Sequence, residues 1–352
     1  MVLFLVLAAL IWGLGRLMKT PPQARILLIG ILYVLVIGLL VALPQDAPLR
    51  QTLGGSAREW LAVGVLGAVG FGYSILLRRL KTRVRPENQT TQTRDAPDPE
   101  APLNDAELDR YARHIILREL GGPGQRALKR SKVLVIGAGG LGAPVLQYLA
   151  GAGFGTIGVI DDDVVSASNL QRQVIHRDAD IGRPKVFSAR EAMMALNPNI
   201  FVRPYNRRLT EEIAADLMAE YDLVLDGSDN FETRYLVNAA CVGAGVPLVS
   251  GAIAQWEGQI SVYDPANGAP CFACVFPKPP APGLAPSCAE AGVIGPLPGI
   301  VGSMMAAEAL KIIVGAGTSL RGTLLIHDAL EGESRRIAVA RRPECAVCGK
   351  AS

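Results

Sequence analysis

A glycine turn followed by cations and carboxylates is the chemically loaded part of this 352-residue chain. Gly137, Gly139 and Gly142 set a G-x-G-x-x-G spacing, with Gly140 inside it. The turn directly follows the apolar run 132–136 and precedes a helical apolar pattern over 143–152. In that setting the glycines permit a tight turn and a close approach of backbone to phosphate, and the helix N-terminus attracts the anion. Asp161 falls 19 residues after the last glycine, where a ribose-binding carboxylate belongs. Taken alone, these residues point to NAD. More follows, however: Ser168-Asn169-Leu170-Gln171-Arg172-Gln173, then Lys185 after a Gly-x-Pro turn, then Asp226, Asp229 and Asn230. Extra cations and carboxylates of this kind suit a site that handles a triphosphate and its metal.

Cysteines carry the second signal. Cys271 and Cys274, and Cys345 and Cys348, form two C-x-x-C pairs, which together supply the thiolates of a tetrahedral structural Zn²⁺. Two disulfides are the alternative, and a reducing cytoplasm argues against them. A redox role is weaker, because neither pair sits in a thioredoxin-like strand–helix setting. Cys241 lies in an apolar helical pattern and reads as core. Cys288 stands in a flexible, polar, Pro-rich stretch. It reads either as a reactive thiol or as a small loop residue.

With these motifs in order, residues 105–349 resemble the ThiF–MoeB–HesA family, bacterial relatives of ubiquitin-activating enzymes, nearest its molybdopterin-synthase adenylyltransferase branch. The motifs that carry the resemblance run from Arg110-Tyr-Ala-Arg113 through the glycine turn, residues 168–173, Lys185 and Asp229-Asn230. They end with Gly258-Gln-Ile-Ser-Val and the two cysteine pairs. The resemblance implies adenylation: a small ubiquitin-like sulfur carrier presents its Gly-Gly carboxylate to the α-phosphate of ATP, and pyrophosphate leaves. It further implies that Arg172 and Lys185 meet the phosphates, that Arg113 reaches them across a homodimer interface, and that Asp229 holds Mg²⁺. Gly140, Asp161, Ser168, Asn169 and Asn230 match nucleotide-contacting positions. The residue matching Cys288 carries a covalent link to the carrier in some relatives. With no rhodanese domain at the C-terminus, a separate protein is expected to donate the sulfur.

Each residue also has a structural reading. Arg172 could be a surface cation, Lys185 the start of a helix, Asp229 a helix N-cap and Asp226 a strand-end cap. Arg113 could merely pair on its helix. His114 stands where the family motif usually has Gln and reads as tolerated variation; His176 and His327 have no second ligand nearby in sequence and read as structural. An NAD-dependent oxidoreductase would explain the glycines and Asp161 but not Arg172, Lys185, Asp229 or the cysteines. A non-catalytic membrane scaffold, a thiamin-pathway carrier and a peptide-tailoring target are further alternatives.

The elements that must position these groups read as an α/β fold, a Rossmann-like, doubly wound, mostly parallel sheet. The run 132–136 reads as a buried parallel strand, 155–161 and 201–205 read as further strands, and the short apolar runs at 221–226 and 247–251 suit strands buried on both faces. Ligands bind beyond the carboxyl ends of such strands. Runs at 260–263, 323–327 and 336–339 read as antiparallel additions, and 105–120 as one helix capped by Asn104 or Asp105.

Charge divides the chain. Residues 1–104 hold 11 Lys/Arg against 6 Asp/Glu, whereas 105–352 hold 24 against 26, so nothing calls for nucleic-acid binding by the main domain. Residues 26–43 and 60–77 are uncharged runs of 18 residues, each long enough to cross a hydrocarbon core of about 30 Å. A shorter apolar run covers 1–15. Basic residues at Arg16, Lys19 and Arg25, and again at 78–85, place both clusters in the cytoplasm by the positive-inside rule. The expectation is a multi-pass inner-membrane protein. Residues 1–80 hold two or three transmembrane helices, 81–104 form a flexible linker, and 105–352 form a cytoplasmic adenylyltransferase domain.

Overall fold

A computed structural model describes residues 98–279 and 292–349 throughout. Before them it describes 2–18, 20–44, 47–54, 56, 58–62, 64, 65, 69, 72 and 73. The chain divides into two units, Met1–Arg94 and Asp95–Ser352. In the first, α1 (Val2–Leu17) and α2 (Pro22–Ala42) are followed by α3 (Pro48–Leu53). Val36, Leu40, Leu53 and Trp60 are buried together, with the Phe4 ring edge-on to Trp60 at 5.2 Å. The rest of α2 presents apolar side chains outward, Leu27, Val34 and Val41 among them. Residues 24–42 are long and apolar enough to cross a membrane. The expected span at 60–77 lies largely outside the described residues, as do the basic cluster at 78–85 and most of the expected linker.

The second unit is built on one sheet: β1 (Lys132–Ile136), β2 (Thr156–Ile160), β3 (Phe201–Tyr205), β4 (Leu223–Asp226), β5 (Leu248–Ala254), β6 (Glu257–Tyr263), β7 (Thr323–Asp328) and β8 (Glu333–Ala338). Their spatial order is β3-β2-β1-β4-β5-β6-β7-β8. The first five are parallel and the last three antiparallel, as the runs of apolar residues lead one to expect. Chain direction across the sheet reverses between β1 and β4, which opens a crevice beyond their carboxyl ends. Apolar β1 and β4 sit at the centre, with Val133, Leu134, Val224 and Leu225 fully buried. A two-residue turn joins β5 to β6, and Gln255 in it takes a left-handed backbone, φ 49°.

Helices cover both faces. In order they are α4 (Asp105–Arg110), α5 (Ala112–Ile115), α6 (Gly121–Arg130), α7 (Gly142–Ala152), α8 (Lys185–Leu196), α9 (Glu211–Ala219), α10 (Phe231–Ala244), α11 (Phe272–Val275) and α12 (Pro296–Val314). The expected single helix over 105–120 is broken at Tyr111, whose backbone (φ −96°, ψ 10°) leaves helical geometry. Its phenol is drawn into the core to meet Asn197 Nδ2 at 2.8 Å. Asn104 caps α4 in a reciprocal box with Glu107, at 2.9 and 3.0 Å. Sequence patterning overlooked α6 and α12. Helix α12 is as apolar as a membrane span by length and composition, yet Leu297, Val301, Met305 and Ala309 are fully buried against the sheet and α7.

Close approach defines the α12–α7 contact: a Cβ on Gly302 would lie 2.4 Å from Pro144 Cγ and 2.7 Å from the Leu141 carbonyl oxygen. Gly302→Val is therefore expected to push the helices apart and lower stability by about 1–3 kcal/mol, read as a shift in the denaturant midpoint.

Candidate active site and metal centre

Beyond the ends of β1, β2 and β4 lies a cavity of about 810 Å³. The glycine turn forms its floor. Gly137 takes φ +90°, and a Cβ on Gly142 would stand 1.9 Å from the Gly137 carbonyl oxygen, so the turn folds back on the first turn of α7 only without a side chain there. Gly142 is therefore buried beneath the loop, whereas Gly137, Gly139 and Gly140 face the cavity. Asp161 holds this loop. Its Oδ2 accepts the Ala138 N–H at 2.7 Å and its Oδ1 the Asp163 N–H at 2.8 Å. Each oxygen keeps a further lone pair that a ribose hydroxyl could use.

Two cations join the lining. Arg172 donates to Asn169 Oδ1 at 2.9 Å and to the Ser168 carbonyl at 3.3 Å, which orients its guanidinium across the cavity's lining. Lys185 opens α8, and its side chain is 5% exposed. Its Nζ lies 2.7 Å from Asp163 Oδ2, whose side chain is 69% exposed. A buried ammonium whose carboxylate partner is solvent-exposed can exchange that partner for a phosphate oxygen.

Asp229 and Asn230 come from the turn after β4. Asn230, not Asp229, caps α10: its Oδ1 accepts the Thr233 N–H at 2.9 Å. Asp229 is exposed in the cavity wall, and its hard carboxylate oxygens fit Mg²⁺. Asp226 is 1% exposed and accepts the Ser228 N–H at 2.9 Å, so it shapes the turn instead of facing a ligand. The buried Arg234 fixes the same turn to β5 by donating to Ser250 Oγ at 3.2 Å, the Gly251 carbonyl at 2.8 Å and the Ser228 carbonyl.

The cavity thus gathers Gly137, Gly139, Gly140, Asp161, Arg172, Lys185, Asp229 and Asn230. Ser168, Asn169, Leu170 and Gln171 stand behind Arg172 and are not in its lining, and Arg113 is exposed on α5, away from it. Cys288 lies outside the described residues. Sequence reading missed Asp163, Arg207 and Arg208, although all three follow strand ends. Glu257 and Gln259, on β6, extend the cavity toward the antiparallel edge. Their signal was weaker, since antiparallel strands offer no strand-end rule. His114 meets Gln125 at 3.3 Å and His327 meets Ser334 at 3.0 Å, both in structural roles.

The model of the ThiF family matches residues 111–347. The chain belongs to the ThiF family. A sulfur carrier protein adenylyltransferase of Thermus thermophilus is 54% identical over 247 residues, covering 69% of this chain and 91% of that protein. The probable adenylyltransferase/sulfurtransferase MoeZ of Mycobacterium tuberculosis is 53% identical over 249 residues, and the match spans 64% of its length. Among solved structures, E. coli MccB with ATP has a similar fold. Its TM-score is 0.61 at 23% identity, over 71% of this chain and 76% of that one. The chain is an enzyme of the adenylyltransferase type.

In this ThiF-family enzyme the four cysteines converge. Cys271–Cys274, Cys271–Cys345 and Cys274–Cys348 sulfurs lie 3.8, 3.7 and 3.4 Å apart, and all four ligand atoms fall within 4.8 Å of one another. Zn–S bonds of about 2.3 Å in a tetrahedron put sulfurs about 3.8 Å apart, so the donor set and its spacing fit Zn²⁺. All four are buried. Burial pushes the Cys271 and Cys348 thiols up, which disfavours their charged forms until a cation neutralises them. Around them, Asn238 Oδ1 accepts the Phe272 N–H at 2.8 Å and Arg342 donates to the Ala273 carbonyl at 3.2 Å, fixing the two halves.

Purified enzyme is expected to carry one Zn²⁺ per chain by elemental analysis. Cys345→Ser should lose it and unfold at markedly lower denaturant, since structural zinc supplies folding free energy on the order of 10 kcal/mol in small peptides.

Proposed function

We propose that this enzyme adenylates the C-terminal Gly-Gly carboxylate of a small ubiquitin-like sulfur carrier, consuming ATP and releasing pyrophosphate, in cofactor biosynthesis. The molybdopterin-synthase carrier is favoured over a thiamin-pathway one. The reading is carried by one observation: a single cavity joins the glycine turn, Arg172, Lys185 and Asp229. An oxidoreductase would need the first of these and leave the other three without work.

The chemical difficulty is an anion attacking a polyanion. Preorganised positive charge answers it. The nucleotide lies with its ribose toward Asp161 and its phosphates over the backbone of Gly139 and Gly140. The carrier carboxylate attacks the α-phosphorus, the bond to the bridging oxygen breaks, and pyrophosphate departs with that electron pair. Arg172 and Lys185 draw charge from the phosphoryl oxygens, Lys185 turning from Asp163 as it does so. Asp229 would hold Mg²⁺, which supplies further neutralisation of the polyphosphate.

Arg113, exposed on α5, reaches the phosphates of the neighbouring protomer in a homodimer. The Cys288 thiolate attacks the acyl carbon of the adenylate, forming a thioester with the carrier as the bond to phosphate oxygen breaks and AMP leaves; it is not needed for attack on phosphorus. A separate protein donates the sulfur. The N-terminal unit anchors the enzyme to the inner membrane in two or three passes, with the catalytic unit in the cytoplasm, where ATP and carrier are available.

Pyrophosphate exchange into ATP is expected only with the cognate carrier present. Arg172→Ala or Lys185→Ala should slow it by about 10²–10³-fold, and unaltered exchange in Arg172→Ala would overturn that assignment. Mixed Arg113→Ala and Lys185→Ala chains should regain roughly a quarter of wild-type activity by random pairing. No recovery in dimers verified by sedimentation would show that Arg113 serves its own chain.

A further inference from the structure

His176 occupies a buried position that nothing in the adenylation chemistry requires, and its hydrogen bonds join the two halves of the phosphate site. Its Nε2 lies 2.9 Å from the Ala138 carbonyl oxygen of the glycine turn, and its Nδ1 2.9 Å from Ser188 Oγ on α8. Ser188 Oγ in turn lies 3.1 Å from Asp180 Oδ2. Asp180 also receives Arg183 at 3.3 Å on its other oxygen. Helix α8 is the one that Lys185 opens, so the imidazole links the turn that would cradle phosphate to the helix that supplies the buried ammonium.

The protons in this chain of contacts can be counted. The Ala138 carbonyl and an ionised Asp180 only accept, and the Ser188 hydroxyl has one proton to give. Three simultaneous hydrogen bonds therefore require both ring nitrogens to donate, which is the imidazolium. A neutral ring must give one bond up. With the proton on Nε2, Ala138 stays held, but the Ser188 hydroxyl turns to Nδ1 and faces Asp180 with a lone pair. With the proton on Nδ1, the Ser188–Asp180 bond survives and the Ala138 carbonyl loses its donor. The opposite end of the Ala138 residue is fixed independently, its N–H held by Asp161 at 2.7 Å.

We propose that His176 is a positioning residue whose protonation completes the bridge from the Ala138 carbonyl through Ser188 to Asp180, and so couples its own charge to the affinity of the glycine turn for nucleotide. This inference rests on the cavity being a nucleotide site. Burial pushes the imidazolium below its usual range. The Ala138 carbonyl pulls it back up, nearby Lys185 pushes it down, and Asp161 and Asp180 pull it up. The free enzyme thus holds His176 largely neutral at pH 7. Phosphates arriving beside Gly139 and Lys185 bring negative charge and favour the cation. Nucleotide binding then takes up a proton wherever the pH lies between the free and bound values. Within that window affinity falls as pH rises, by up to about tenfold per pH unit for one proton.

The test uses the full-length enzyme and a non-hydrolysable ATP analogue, with calorimetry at pH 5.5–8.5 in buffers of different ionisation enthalpy. His176→Gln places an amide donor near Nε2, so it can hold Ala138 but cannot titrate. It is expected to bind the analogue at pH 8 within a few-fold of wild type, yet to lose most of the proton uptake that wild type shows. Titration of the nucleotide's own phosphates is common to both proteins and cancels in the comparison. His176→Ala should bind at least several-fold more weakly at every pH, with zinc content verifying that it is folded. Equal proton uptake in wild type and His176→Gln overturns the inference alone, as does undiminished affinity in His176→Ala. Failure of wild type to bind the analogue at all overturns the proposed function and this inference together.

Discussion

Beyond the last paired residues of the central strands, the hydrogen-bond ladder runs on for one more step, and the site hangs from that step. The Gly137 N–H donates to the Ile160 carbonyl at 2.9 Å, the Gly227 N–H to Ile136 at 3.0 Å, and the Asp161 N–H to Tyr205 at 3.2 Å. Three loops that would otherwise leave the sheet independently are thereby registered to one another. They carry the glycine turn, the aspartates after β2, and the Ser228–Asn230 turn. Carbonyls and amides buried at strand ends must find partners, and here the partners are the neighbouring loops. The convergence of Asp161, Asp229 and the glycines follows from backbone geometry before any side chain is considered.

Side chains then set the charge. Lys185 can be buried because Asp163 is within reach, and Arg172 is aimed because its own turn accepts from it through Asn169 and Ser168. Arg234 fills the space behind Asp226 and ties the Ser228 carbonyl to β5. Arg172 is thus braced by groups that do not themselves face the cavity, which limits its reorganisation when a polyanion arrives.

The sheet was legible because β1, β2 and β4 are short, largely apolar runs that end at glycine or aspartate, and their pattern admits little else. The cysteine pairs and the glycine turn were legible because spacing alone defines them. What sequence did not reveal depended on contacts far along the chain. Tyr111 breaks a helical pattern to reach Asn197, and Asn230 in place of Asp229 caps α10. Helix α12 shows the limit most plainly, for by length and composition it could cross a membrane as α2 could. Small residues facing Pro144 and the β-strands let α12 pack inside the sheet's cover, whereas α2 turns Leu27, Val34 and Val41 outward.

The sulfur cluster joins residues 74 positions apart, Cys271 to Cys345 and Cys274 to Cys348. Viewed as polymer physics, a Zn²⁺ held by these four thiolates would close that loop and remove about 4 kcal/mol worth of conformational freedom from the unfolded chain. That restriction falls on the part of the sheet with least burial to defend it. Every residue of β8 is exposed, and it pairs with β7 along a single side. With the metal bound, persistence of this outer edge would derive from a disfavoured unfolded ensemble more than from apolar surface withdrawn from water.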